Sequence, residues 1–594
     1  MYPTLSVNTD DFDAKYKQQS LSTNSVPSRQ QILYGEDDQM EIVGFRFNKL
    51  KNYLTWFLYV LSGGLVRLFF HWYPQIKLYA THTECDLEVA ERVMIIDIYK
   101  SKFKSYYVEA VHSKTATLYS EGETQNYNGD IIILRSTTEK KKKKLTLYLE
   151  NGKTLELSSV RTINFKKMLY AWNPEEKQFL RLIGLDFGKK KAEFHSYQGM
   201  NEMEQSLRRI IYGRNEINIP VQSIFKLFVL EASTPFYVFQ VFSVLLWIAE
   251  YYFYYGIAIV MMSAYGISSS IIQTRTNQRN LKGTVFSEDT VTVMRGENVL
   301  EQTKTSNLVP GDVITIPSRG CNMQCDAVLL KGTCIVNESM LTGESIPVHK
   351  TPLPNDSTFY HVKEDSNHTL FCGTTVLQTK FSSDTDTLAV VIRTGFLTTK
   401  GELVRSILYP PPADFRFDQD SYKFIGILCV IAMSGFIYTI ITKFSRQLPL
   451  LDIIIKALDL ITIAIPPALP AAMTVGKLYA LDRLRKKNIY CINSRVINVS
   501  GSIDCVCFDK TGTLTEDELD MWGVIPVIDG KMDAPVKKIK SMTTDIPLYK
   551  GMLTCHSLSI INGKVCGYPL DLKMFESTSW HLQEPANDDV YGKI

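Results

Sequence analysis

The chain has 594 residues, more than one domain normally holds, and 45% of them are hydrophobic. Basic and acidic side chains nearly cancel at a net charge of +3, which leaves no electrostatic footprint for nucleic acid. Eleven cysteines are scattered, and neither Cys321-x-x-x-Cys325 nor Cys505-x-Cys507 has the second ligand pair of a zinc site, so reduced and mostly buried thiols are expected.

In chain order, residues 1–52 form a polar tail without a signal peptide. Residues 53–70 are apolar enough to enter a bilayer, but carry Arg67 and the pair Gly63-Gly64. Residues 87–219 read as a mixed soluble domain. Its lysine run, Lys140 to Lys144 beside Glu139, is expected to be a solvated loop, with acidic phospholipid as the competing partner. Residues 232–273 read as a transmembrane hairpin. A single charge, Glu250, marks the tip at Glu250-Tyr251-Tyr252 within the apolar stretch 236–272. Residues 274–422 are rich in Val, Ile and Thr with frequent turns, an all-β pattern. A third span lies at 423–443 and a fourth at 457–476, where Asp459 is the only charge. Lys477, Arg483, Arg485, Lys486 and Lys487 follow, so that end is cytosolic. Four spans put both ends on the cytosolic side if 53–70 dips into the leaflet and returns; the alternatives are a luminal tail or a missed partner span. The sequons at Asn337, Asn355, Asn367 and Asn498 fall on the same side and are not glycan sites.

Three motifs carry chemistry. The apolar run 503–508 stops at Asp509 and a small-residue turn follows, so Asp509 is expected at the C-terminal end of a parallel strand. A carboxylate there can attack the terminal phosphate of ATP and form an aspartyl phosphate. That step needs magnesium, a lysine such as Lys510, and the close backbone approach that Gly512 and Thr513 permit. Thr511, standing where a second aspartate would favour simple phosphatase chemistry, suits a longer-lived intermediate. In Leu341-Thr342-Gly343-Glu344-Ser345, Glu344 on a tight turn is the candidate base for hydrolysis, with Thr342 and Gly343 shaping the turn. In the fourth span, Pro466-Pro467-Ala468-Leu469-Pro470 removes the helical partners of the carbonyls of Thr462, Ile463 and Pro466, which suggests a broken helix at a transport site with Asp459 about two turns earlier. The competing readings are an ordinary strand end, a polar turn, a proline kink that only packs, and a snorkelled Asp459.

The order of a helix pair, a TGES-bearing β domain, a PPxLP helix and DKTGTLT resembles the P-type ATPases. That resemblance implies a multidomain membrane protein: an α-helical transmembrane bundle, an all-β actuator domain (274–422), a partial α/β (HAD-like) phosphorylation domain (477–525) and the start of a nucleotide-binding domain (526–594). It implies Asp509 as the phosphorylated residue, the Thr511 carbonyl beside it as a magnesium ligand, and Glu344 as the dephosphorylation base. LDLITIAIPPALPAAMT, NESMLTGES, LFCGTTVLQT and LKMFE resemble the type-five, B-branch pumps of late endosomes and lysosomes. Those resemble polyamine exporters working from lumen to cytosol, with ATP and Mg2+ as cofactors and the lipid bilayer as surroundings. GYPLDLKMFE resembles the opening of the nucleotide domain and implies Asp571 and Phe575 as nucleotide contacts, although Tyr568 replaces a usual acidic residue. The chain stops at Ile594, before the rest of that domain, so the alternatives are a truncated regulatory isoform or gene fragment, and a metal-cation pump of another branch.

Overall fold

The computed structural model describes residues 28–34, 38–99, 103–115, 144–285, 289–296, 299–318, 320–343, 347–380, 387–410, 416–447, 449–466, 469–489, 491, 497, 500–501, 503–516, 520–556, 558–561, 564–566 and 569–583. The chain forms two compact units, residues 1–115 with 157–182, and residues 116–156 with 183–594. This divides the expected 87–219 domain: residues 157–182 stay with the first unit, and 183–219 join the second.

The first unit is built from two antiparallel sheets. One runs Arg29–Tyr34, Asp38–Phe47, Arg92–Tyr99, Phe103–Ala110, with His82–Glu84 also on Asp38–Phe47. The other runs Gln178–Arg181, Met168–Asn173, Ser159–Phe165, His112–Thr115. Alternate residues Met40, Ile42, Val93 and Ile95 meet Ile163, Phe165, Tyr170 and Phe179 in one core. The intervening Val43, Phe45 and Met94 pack on Leu78. This is the period-2 logic of a strand buried on both faces.

Between Phe47 and His82 lie α1 (Lys49–Leu61), α2 (Leu65–Trp72) and α3 (Pro74–Thr81). Asn48 caps α1, its side chain accepting from the amides of Leu50 and Lys51. Gly63 and Gly64, at φ +57° and +92°, allow the turn that bends α2 120° from α1. The two ends of this excursion emerge side by side: Asn48 N–H donates to Thr81 O at 3.2 Å, and Phe47 pairs with His82. Its surface exposes Leu50, Trp56, Phe57, Val60 and Leu61.

The second unit holds a six-stranded sheet in the order Val299–Lys304, Thr290–Arg295, Val313–Ile316, Thr387–Arg393, Asp326–Lys331, Thr369–Leu370. A four-stranded sheet runs Cys321–Asn322, Thr375–Lys380, Thr333–Asn337, Val348–Lys350. The central strands carry unbroken apolar runs, so both faces need cover. Ile314, Ala327, Leu329, Ala389 and Val391 face Cys334, Val336 and Val376 of the smaller sheet. Val313, Val328, Leu330, Val390 and Ile392 are covered by Tyr148, Leu185, Phe194, Leu353 and Tyr360. That second requirement is why residues 183–197 belong here.

Among the helices of this unit are α4 (Ile224–Ala232), α5 (Pro235–Ala249), α6 (Phe253–Val285), the short α7 (Ser339–Thr342), α8 (Arg416–Ser445), α9 (Leu450–Ala464) and α10 (Leu469–Lys486). Within α6 and α8, Phe253–Gly283 and Lys423–Ser445 are long and apolar enough to cross a membrane. The bent pair α4–α5, with 71° between them, is a further candidate. The expected start of the soluble region at 274 falls inside α6, whose last residue, Val285, packs with Ile219 and Val404. Residues 520–583 form a small cluster of their own around Val524, Ile539, Tyr549 and Met552.

Candidate functional site

Asp509 has extended backbone and precedes a wide helical turn, Lys510–Leu514, closed by Thr515 N–H to Lys510 O at 3.0 Å. Gly512 takes φ +72° inside that turn, a conformation that favours glycine. Asp509 Oδ1 accepts from the Lys510 amide at 3.1 Å, and both side chains face solvent. The expected strand before Asp509 is not formed. Ile503, Val506 and Phe508 are each more than half exposed, and among the described residues no strand pairs with them. A parallel strand needs neighbours on both edges and cover on both faces. For the same reason Cys505 and Cys507 are exposed rather than buried.

The turn at Ser339–Gly343 lies near this carboxylate. α7 is closed by Leu341 and Thr342 amides donating to Glu338 O, and by Gly343 N–H to Ser339 O at 3.0 Å. Ser339 N–H is held by Asn337 Oδ1 at 2.9 Å. Gly343 ends the helix at φ +74°, the usual left-handed cap. A methyl group placed on Gly343 would stand 3.6 Å from Asp509 Oδ2. Two motifs far apart in sequence therefore lie near one another, the Asp509 carboxylate beside the Gly343 turn. Glu344 and Ser345 lie outside the described residues, as does the side chain of Thr511.

A second site lies where α5, α6 and α9 converge. Glu250, Tyr251 and Tyr252 form the hairpin tip, with Tyr251 at φ +66° and Tyr252 N–H bonded to Trp247 O at 2.8 Å. Trp247 Nε1 donates to Thr462 Oγ1 at 3.1 Å, and the Thr462 hydroxyl reaches Asp459 O at 2.8 Å and Oδ1 at 3.1 Å. The Glu250 carboxyl lies within electrostatic reach of Asp459, Lys456 and Lys443. Its Oε1 is buried without a hydrogen-bond partner. Tyr255 stands edge-on to Trp247 at 6.3 Å, and Tyr252 to Tyr255 at 6.4 Å. Two carboxyls, an indole and two phenols thus crowd one end of the hairpin. That chemistry suits an organic cation, which carboxylates pair with and aromatic faces attract.

The helix breaks where the prolines fall: α9 ends at Ala464, Ile465 is extended, and α10 starts at Leu469. Of the residues expected there, Asp459 and Thr462 belong to the cluster, while Ile463 turns outward at 65% exposure and Pro466 is also exposed. Pro467 and Ala468 lie outside the described residues, as do the side chains of Leu469 and Pro470. Sequence reasoning passed over Glu250, Trp247 and Tyr255 as site residues. The available signal was the single acidic residue, Glu250, set among Trp247, Tyr251, Tyr252 and Tyr255 in an otherwise uncharged stretch.

The nucleotide residues are placed differently from expectation. Phe575, on the helix Pro569–Thr578, is 5% exposed and its ring meets His556 edge-on at 5.1 Å. It packs inward, so it is not presented as a stacking face for adenine. Asp571 lies half-buried in the first turn of that helix.

The family model of the P5-type ATPase cation transporters matches residues 36–173, and that of the P-type ATPase actuator domain matches 285–408. The human protein named polyamine-transporting ATPase 13A3 is 40% identical over 581 residues, 95% of this chain and 47% of its own length. Human polyamine-transporting ATPase 13A2 is 39% identical over 90% of this chain and 46% of its length. The Gallus gallus protein named "Probable cation-transporting ATPase 13A4" is 38% identical over 95% and 46%. The chain spans about half the length of the curated relatives it matches. With two family models matching and relatives 38–40% identical over 90–95% of the chain, the chain belongs to the P5-type branch of the P-type ATPases.

Proposed function

We propose that this protein couples ATP hydrolysis to the movement of a cationic substrate, a polyamine, from lumen to cytosol through an aspartyl phosphate at Asp509. The observation that carries the reading is the meeting of the Gly343 turn with the Asp509 carboxylate. In the forward step an Asp509 oxygen attacks the γ-phosphorus of ATP, the bond to the ADP oxygen breaks, and Lys510 offsets the developing negative charge. Magnesium fits a site of one carboxylate, Asp509, and one carbonyl, Thr511, since it commonly takes the rest of its shell from water and phosphate. Its chemistry there is charge neutralisation on the phosphate oxygens. Glu344 then orients water for hydrolysis, delivered by the turn that Gly343 begins. The Glu250–Asp459 pair with Trp247 and Tyr255 receives the ammonium groups, and the break after Ala464 frees backbone carbonyls beside it.

Because the two ends of the α1 to α3 excursion emerge side by side, it dips into the cytosolic leaflet and returns, with acidic phospholipid as a partner of the N-terminal region. Late endosomal or lysosomal membrane is the proposed location. The deciding experiment is acid-stable phosphoenzyme formation in the full-length membrane protein. Asp509→Asn should abolish it and Glu344→Gln should make it accumulate; label that persists in Asp509→Asn removes Asp509 as the nucleophile. ATPase stimulation by a metal ion and not by spermine or spermidine would remove the polyamine assignment.

A further inference from the structure

The Gly343 turn is held from behind by a buried ion pair. Lys350, the last residue of the strand Val348–Lys350, is 1% exposed, and its Nζ lies 2.6 Å from Glu338 Oε1. The same ammonium donates to Ser366 O at 2.8 Å and stands 5.2 Å from the centre of the Phe371 ring. Glu338 is also buried, and its carbonyl is the acceptor that closes α7, taking the amides of Leu341 and Thr342 and the Thr342 hydroxyl. Cys334 pairs with Lys350, and Val336 with Val348. The chain thus leaves the sheet just after Asn337 and rejoins it by Val348, with the ion pair clasping the base of the excursion.

Burial pushes the Lys350 ammonium below its usual range, and Glu338 opposes that shift. A pair so far from water adds little net stability, because desolvation offsets most of the Coulombic gain. What it can supply is geometry. It fixes the residue whose carbonyl organises α7, and α7 ends at the glycine seated against Asp509. Groups that must meet a reacting atom within about 0.5 Å depend on such supporting contacts.

We propose that Glu338 and Lys350 are positioning residues, whose buried ion pair sets the α7–Gly343 turn against Asp509 and so governs discharge of the phosphoryl group carried there. The inference rests on the phosphoenzyme reading for its functional half and on the described geometry for its structural half. Two readouts separate them.

In the full-length membrane protein, Lys350→Met should leave phosphoenzyme formation from ATP and the half-saturating substrate concentration unchanged, while slowing decay in a chase at least tenfold. The charge-reversed double variant, Glu338→Lys with Lys350→Glu, should recover part of that rate. Where Lys350→Met yields no folded protein, Glu338→Gln, which keeps the shape of the side chain, is decisive; decay at the unmutated rate in a folded single variant overturns the proposal. Amide exchange at Leu341, Thr342 and Gly343 should quicken more than tenfold in either single variant, against unchanged exchange in Thr387–Arg393. Unchanged exchange at the turn overturns the positioning claim whether or not a phosphoenzyme forms. Absence of any Asp509-dependent phosphoenzyme in the unmutated protein would instead sink the phosphorylation reading, and the exchange result would still decide this one.

Discussion

Phe194→Ala tests the assignment of residues 183–197 to the actuator sheet. Phe194 is 1% exposed and stands edge-on to Tyr360, with ring centres 5.3 Å apart. It belongs to the cluster that covers Val313, Val328, Val390 and Ile392. Truncating a phenylalanine this deep loses its transfer energy and leaves a cavity, together about 3–5 kcal/mol. The cost falls high in that range if the edge-on contact with Tyr360 adds its about 0.5–1.5 kcal/mol. A loss of about 4 kcal/mol is roughly a thousandfold in an equilibrium constant. Segment-resolved amide exchange is the assay, because it reads each sheet separately. The slowest amides of Val313–Ile316, Asp326–Lys331 and Thr387–Arg393 should lose protection by roughly that factor. Those of Asp38–Phe47 and Arg92–Tyr99, in the other unit, should not change. Protection retained in Thr387–Arg393, or lost in Asp38–Phe47 instead, would refute the division of the chain at residue 183.

His82 gives a pH dependence in the first unit. Burial, with a smaller contribution from the nearby Arg92 charge, holds its pKa below the usual value. The unfolded chain therefore binds a proton first as pH falls, so this stability is full above about pH 6.5 and is lost as pH drops through the folded value. Exchange of the His82–Glu84 amides should quicken across that window, and His82→Gln should flatten the dependence; a profile identical in the two proteins counts against the argument. Trp247→Phe removes the indole donor to Thr462 Oγ1 while keeping an aromatic ring. One neutral hydrogen bond is worth about 0.5–1.5 kcal/mol, so the half-saturating polyamine concentration should rise about two- to tenfold with phosphorylation from ATP intact. An unchanged substrate dependence would place Trp247 outside the transport path.

What was legible in the sequence was what local chemistry decides. One charge and a tyrosine pair marked the tip at Glu250, and the structure turns there. Prolines marked a helix break, and α9 stops at Ala464. The glycine pair at 63–64 marked the bend between α1 and α2. What stayed hidden was set by partners distant in sequence. The run 503–508 has the composition of a strand but no pairing neighbour among the described residues, so its pattern alone does not make one. Residues 183–197 read as part of the 87–219 domain, yet Leu185 and Phe194 are fully buried in the second unit because a two-faced sheet needs them. Glu250 looked like a turn residue until α9 brought Asp459 beside it.

The two sites are joined by helices whose lengths limit how they can communicate. α6 begins three residues after Glu250 and runs unbroken for 33 residues to Val285, about 50 Å at 1.5 Å per residue. Its far end packs on Ile219 and Val404, and the actuator strand Thr290–Arg295 follows directly. α10 starts just past the proline break and carries the chain 18 residues out toward Asp509. Neither can shorten without giving up backbone hydrogen bonds. A displacement of Glu250 relative to Asp459 must therefore be absorbed at the helix ends. On the α6 side that is the hairpin tip, with Tyr251 at φ +66°. On the α10 side they are the break after Ala464 and the exposed run before Asp509.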